Sequence, residues 1–176
     1  MENYILTLLI FIPVIGAIIM LPISRFFGNS YSKDVALCAT GLQLLLAGWL
    51  YFNFDSSLSI EESPFTIELP WIEHFNIYYY IGVDGLSMPM VLLTALLSCI
   101  CIISSWNINK RPLGYFSLFL LLDAGMMGVF LSMDFFLFYI FWEVMLLPMY
   151  FLIGMWGGPQ RHYAAIKFFL YTLFGS

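Results

Sequence analysis

Five stretches of the chain, 5–23, 35–52, 86–103, 115–133 and 135–155, are apolar almost from end to end. Each has roughly the 17 to 25 residues that a helix needs to cross a hydrocarbon layer. Inside lipid, backbone N–H and C=O groups have no water to pair with. Spanning segments of this length must therefore be helices that satisfy their own backbone. With 62% hydrophobic and only 10% charged residues in 176, and a mean hydropathy of +0.92, the chain is far from the roughly 25% charged composition of a soluble domain. The expected fold class is an all-α polytopic membrane protein with five complete spans and a shorter sixth, which begins at Tyr163. Because that sixth pattern carries into the last residues with no clear cap, the chain reads as the front of a longer polytopic protein.

The six Lys and Arg residues set an orientation. Arg25 and Lys33 fall between spans one and two, Lys110 and Arg111 between three and four, Arg161 between five and six, and Lys167 just inside six. All belong to one side, which the positive-inside bias makes cytoplasmic, and the N-terminus is then external. Met1-Glu2-Asn3 lacks the basic start of a signal peptide, so the first helix is expected to be retained. The net charge of −5 collects in the external segment 53–85, and nothing basic clusters as a nucleic-acid partner requires.

Within that segment, 64–70 and 75–82 show short strand-like runs broken by Pro and Gly, and a small hairpin is expected. Its plain role is a connector over helix ends, with Trp71, Tyr78, Tyr79 and Tyr80 as an interfacial aromatic belt. Gly125, Gly128 and Ser132 line up on one face of the fourth helix and allow close approach of a neighbour. Cys99 and Cys101, two apart on a helix, point to different faces and make a poor metal or disulfide pair. They and Cys38 are expected to be packed thiols. His74 and His162 have no ligating neighbour at metal spacing. No nucleotide, iron–sulfur or haem motif is present, and no cofactor or metal is expected on the chain.

Glu143 stands near the middle of the fifth helix. Nine residues from Asp134, at about 1.5 Å each, put it about 13 Å into a layer about 30 Å thick, where a carboxylate costs about 2.5 to 3.5 kcal/mol or more unless it is answered. Its helix face also carries Tyr139 and Tyr150. Burial favours the neutral acid and a nearby cation the anion, so such a residue can load and release a proton. A fixed ion pair between helices is the structural alternative. Pro148 removes a backbone hydrogen bond on the same helix, opening it to water or merely serving packing. Lys167 is the cation available inside the chain, unless it snorkels to the interface. Asp123, two turns into the fourth helix, is a second buried acid, whereas Asp134 suits an N-cap of the fifth. Glu143, Lys167 and Asp123 are thus the candidate proton relay, with Tyr139, Tyr150 and Pro148 in support.

The run FWEVMLLPMYFLIGMWGG at 141–158, followed by YAAIKFFLY at 163–171 and preceded by VDGLS at 83–87, resembles the antiporter-like subunits of bacterial respiratory complex I, and most closely the subunit M (chain 4) family. The likeness covers the whole chain and is sharpest from Asp134 onward. It implies a fourteen-helix fold with two inverted five-helix repeats, each with a proton channel. Residues 1–114 would be the N-terminal three-helix region and 115–176 the incomplete first half of the proton-translocating domain. By the motif match Glu143 takes the role of the family's helix-five Glu, whose Lys partner lies on the seventh helix, beyond Ser176, and Lys167 matches the helix-six Lys. The resemblance also implies neighbouring antiporter-like and other membrane subunits as partners, in a bacterial inner membrane, with NADH, FMN, iron–sulfur clusters and quinone on partner subunits. A subunit of a sodium/proton (Mrp-type) antiporter or of a membrane-bound hydrogenase shares the relay chemistry. A structural scaffold is a third class.

Overall fold

The computed structural model describes residues 4–27, 31–55, 65–72, 74 and 77–176. Six helices follow one another: α1 (Ile5–Phe27), α2 (Ser32–Asn53), α3 (Ser87–Ser104), α4 (Pro112–Leu131), α5 (Phe135–Trp156) and α6 (Arg161–Gly175). Two strands, β1 (Ile67–Ile72) and β2 (Ile77–Ile81), lie between α2 and α3. The first five helices, α3 with its closing 3₁₀ turn, are long and apolar enough to cross a membrane, as the hydropathy pattern predicts. The chain is a multi-pass membrane protein. Pro64, Phe75 and Asn76 of the expected strand runs, and the acidic Glu2, Glu61, Glu62 and Glu73, lie outside the described residues.

α4 is the centre of the arrangement: α1, α2 and α3 pack on it from one side and α5 from the other, with α6 against α5. Lipid supplies no hydrophobic drive for helices to associate, so close packing has to do so. The glycines of α4 supply it. A side chain at Gly125 would meet Met145 Cβ at 2.9 Å and its Cα at 3.3 Å, and one at Gly128 would enter the Phe141 ring. Across the α1–α2–α4 seam, a Cβ at Gly16 would meet Ala39 Cβ at 2.8 Å. The sequence expectation for Gly125 and Gly128 is met; Ser132 instead turns the chain, its hydroxyl donating to the Gly128 carbonyl at 2.5 Å.

Both ends of the bundle are latched. At the hairpin end, β1 and β2 pair antiparallel, and the α4–α5 turn adds to β2: Gly82 N–H donates to the Leu131 carbonyl and Met133 N–H to that of Tyr80, each at 2.9 Å. The Tyr79 hydroxyl lies 3.4 Å from that of Thr7, and burial raises its pKa above the ordinary tyrosine value. α3 starts at a reciprocal cap in the VDGLS run: Asp84 Oδ1 accepts from Ser87 N–H at 2.6 Å and Leu86 N–H at 3.1 Å, while Ser87 Oγ accepts from Asp84 N–H. These bonds, that from Ser87 foremost, hold the Asp84 carboxyl below the usual carboxylate range. At the basic end, Lys33 Nζ donates to the Trp106 carbonyl at 2.6 Å and to Asn109 Oδ1 at 3.2 Å. Trp156 Nε1 donates to the Lys110 carbonyl at 2.7 Å.

Two apolar clusters fill the α1–α4 interior. One lies under the hairpin and includes Leu6, Leu9, Ala47, Ala95 and Met127; the other, toward the basic end, includes Ala17, Ala39, Ile102 and Leu120. The expectation of packed cysteines needs correcting: all three are free, but Cys38 and Cys101 are exposed on the outer surface and Cys99 is half-exposed. On helices that are apolar all round, a thiol has no reason to seek the interior.

Candidate functional site

α5 begins where the sequence places it, with Asp134 as N-cap: its Oδ1 accepts from Phe136 and Leu137 N–H, both at 2.9 Å. The helix runs on through Pro148, which is buried. Its rotation about its own axis is set by the contacts of Phe141 and Met145 with the α4 glycines. Glu143 sits two residues from each, about 200° around the helix, and so points away from α4. It is half-buried, and its Oε1 accepts a 2.8 Å hydrogen bond from Ser176 Oγ, just past the end of α6. Beside it, α5 and α6 enclose an aromatic groove of about 430 Å³ lined by Phe138, Tyr139, Trp142, Tyr171, Thr172 and Ser176.

Of the expected companions, Tyr139 lines this groove, while Tyr150 packs edge-on against Phe169 of α6, with ring centroids 5.6 Å apart. Lys167 is exposed, and its Nζ lies over the rings of Tyr163 and Tyr171, at 5.6 and 5.9 Å from their centroids. Nine residues separate Lys167 from Ser176, which is about 13 Å along a helix, and Lys167 forms no ion pair with Glu143.

Asp123 stands apart. It is fully buried on the face of α4 that meets α2 and α3, about 200° from Gly125 and hence from α5. Ser98 Oγ of α3 donates to its Oδ1, and the Gln43 side chain of α2 lies against the same carboxyl. Gln43 Nε2 donates to the Leu9 carbonyl of α1 at 3.2 Å. That carbonyl is free because its usual partner four residues on is Pro13, which has no N–H; a neighbouring side chain re-satisfies it, as membrane helices require. Gln43 and Ser98 escape a search for ionisable motifs. The signal available in sequence was an uncharged polar residue in mid-span and a proline four residues after Leu9.

Residues 7–134 match the family described as NADH-ubiquinone oxidoreductase chain 4, amino terminus, and residues 132–176 the membrane family described as NADH:quinone oxidoreductase/Mrp antiporter. The chain is 39% identical to NADH-quinone oxidoreductase subunit M of Rhodobacter capsulatus, covering 100% of this chain and 34% of the relative. It is also 39% identical to NAD(P)H-quinone oxidoreductase chain 4 1 of Synechococcus sp. (strain JA-3-3Ab), covering 97% and 32%. The chain thus spans about a third of the length of the curated relatives it matches. Among solved structures, it superimposes on a chain of respiratory complex I from Thermus thermophilus with bound NADH at a TM-score of 0.80 and 25% identity, covering 97% of this chain and 33% of that one. The Mrp complex from Dietzia sp. DQ12-45-1b shares the fold, with a TM-score of 0.78 at 20% identity over 97% of this chain and 18% of that one. With its first family match running through α1 to α4, the chain belongs to the NADH-ubiquinone oxidoreductase chain 4 family.

Proposed function

We propose that this chain is part of a proton-translocating, non-redox membrane subunit of NADH:quinone oxidoreductase, set in a bacterial inner membrane with its N-terminus external. The observation that carries the reading is Glu143: a half-buried mid-membrane carboxylate, turned away from α4 and hydrogen-bonded to Ser176 Oγ beside the groove between α5 and α6. In such a place an approaching cation holds the carboxylate and its withdrawal releases it. A charge that moves nearby therefore loads and unloads the carboxyl. Lys167 is the second proton-bearing group, nearer the basic end, and the cation that answers Glu143 directly is a Lys on a later helix of the longer subunit. Tyr139 and Thr172 supply hydroxyls along the groove, while Asp123 adds a buried acid on the other side of α4. NADH, FMN, iron–sulfur clusters and quinone belong to partner subunits, and neighbouring antiporter-like subunits pack alongside in the bilayer. The names of the relatives favour this reading over an Mrp-type antiporter, whose likeness is one of fold.

The test is Glu143→Gln in the full subunit within its assembled complex. NADH-driven proton uptake into inverted vesicles is expected to fall about 10²-fold, the scale of a lost acid–base group, with assembly unchanged. Undiminished pumping overturns the proposal. A pure scaffold makes the opposite forecast: Glu143→Leu assembles better, because an unanswered charge has gone.

A further inference from the structure

Between the two apolar clusters of the α1–α4 half lies a thin polar layer to which every helix contributes at mid-height. α1 offers the Leu9 carbonyl freed by Pro13, α2 Gln43, α3 Ser98 and α4 Asp123. Leu9, Ala47, Ala95 and Met127 belong to the cluster on one side of it; Ala17, Ala39, Ile102 and Leu120 belong to the cluster on the other. Gln43, Ser98 and Asp123 are all buried, Asp123 and Gln43 completely.

Counting donors and acceptors in this layer leaves a deficit. The Leu9 carbonyl can only accept, so the Gln43 amide is oriented with Nε2 toward it and Oε1 away. Ser98 spends its single hydrogen on Asp123 Oδ1. Two fully buried acceptors, Gln43 Oε1 and Asp123 Oδ2, are then left without a donor, and a buried orphan acceptor is costly. Among the described residues no cation is placed to answer them. The titratable groups on the surrounding helices lie elsewhere: Arg25, Lys33 and Asp34 near the basic end, Cys38, Cys101, Tyr4 and Tyr51 exposed, Cys99 half-exposed, and Tyr115 hydrogen-bonded to Ser105 near the basic end. On α5, Glu143 points away from α4, Tyr139 lines the groove and Tyr150 packs on Phe169 of α6.

We infer that Asp123, Gln43 and Ser98 form a second proton-holding site, separate from Glu143, in which the Asp123 carboxyl is un-ionised and its Oδ2–H donates to Gln43 Oε1, directly or through one trapped water. One proton supplies the missing donor, satisfies both orphan oxygens and removes the unanswered charge. The proton completes the layer that joins α1, α2, α3 and α4, because an anion would keep its bond from Ser98 but leave Gln43 Oε1 without a donor. Nothing in the Glu143 relay is needed for this assignment.

Infrared spectroscopy of the full subunit in its assembled complex, with aspartate labelled by ¹³C at the side-chain carboxyl, tests it. The expected result at neutral pH is a carbonyl stretch of an un-ionised acid that is lost in Asp123→Asn and is unchanged in Glu143→Gln. Its frequency shifts in Ser98→Ala, which removes the donor to Oδ1 and leaves the Gln43–Leu9 bond intact, and shifts again in Gln43→Leu. A labelled spectrum with carboxylate bands alone overturns the inference, as does a protonated-acid band indifferent to both Ser98→Ala and Gln43→Leu. If Asp123→Asn does not assemble, the label together with the Ser98→Ala shift still decides the matter.

Discussion

The two flanks of α4 treat a mid-membrane acid in opposite ways. On the α1–α3 side Asp123 is sealed, held by side chains from two other helices and sandwiched between apolar clusters. On the α5–α6 side Glu143 is half-buried and accepts from the Ser176 hydroxyl, beside a groove of about 430 Å³. The lesson is that depth alone does not assign a role to an intramembrane carboxylate. Asp123 is enclosed with an acceptor, Gln43 Oε1, left without a donor beside it, whereas Glu143 is reached by a hydroxyl from the neighbouring helix end.

The largest disturbance of this contrast should come from the seam that divides the flanks. Gly125→Leu pushes a side chain into Met145 where the backbone itself is 3.3 Å from the new Cβ, and overpacking of this kind costs about 3 kcal/mol. Thermal unfolding in detergent should show it, while Gly154→Ala, whose Cβ meets Ala165 at an ordinary 3.7 Å, should leave the melting curve nearly in place. Equal effects of the two would mean that α4–α5 is no tighter than α5–α6. Next, Gln43→Leu strips the Leu9 carbonyl of its donor and should cost about 1 to 3 kcal/mol, whereas Thr172→Val, on the open flank, should cost well under that in the same denaturation assay. Asp134→Ala removes the cap that starts α5 and should cost about 1 kcal/mol, with hydrogen exchange rising first at Phe136 and Leu137.

The smallest effect concerns pH at the hairpin end, at the cap that starts α3. The Asp84 carboxyl titrates lower in the folded chain than in the unfolded one, because it accepts from Ser87 and Leu86 N–H. Its contribution is therefore present above the ordinary carboxylate pKa and is lost as pH falls through the lowered folded value. Stability of the wild type should decline over that acid window, and Asp84→Asn should flatten the decline. An unchanged acid limb in the variant would remove Asp84 from the account.

Much of the scaffold was legible in the residues. Span positions, the hairpin between Asn53 and Ser87, the Asp134 cap and the Gly125–Gly128 face all depend on local length, turn chemistry or spacing, and the structure reproduces them. Glu143 could be singled out for the same reason, since a carboxylate in mid-span is conspicuous wherever its helix turns. Lys167 resting on Tyr163 and Tyr171 likewise follows from helical spacing. Other features were hidden. Cys38 and Cys101 face outward, and Asp123 is divided from Glu143 by the body of α4.

What linear order settles here is which segments cross the bilayer and at what height each polar group lies, because helical rise converts residue number into depth. What folding in three dimensions adds is which way each group looks. A helix that is apolar on every side carries no stripe to announce its partner, and lipid does not prefer one face over another. Rotation is therefore decided by glycine contacts, by the carbonyl that Pro13 leaves free and by the donors other helices bring to it. Those contacts place one acid in a sealed layer and the other beside an open groove.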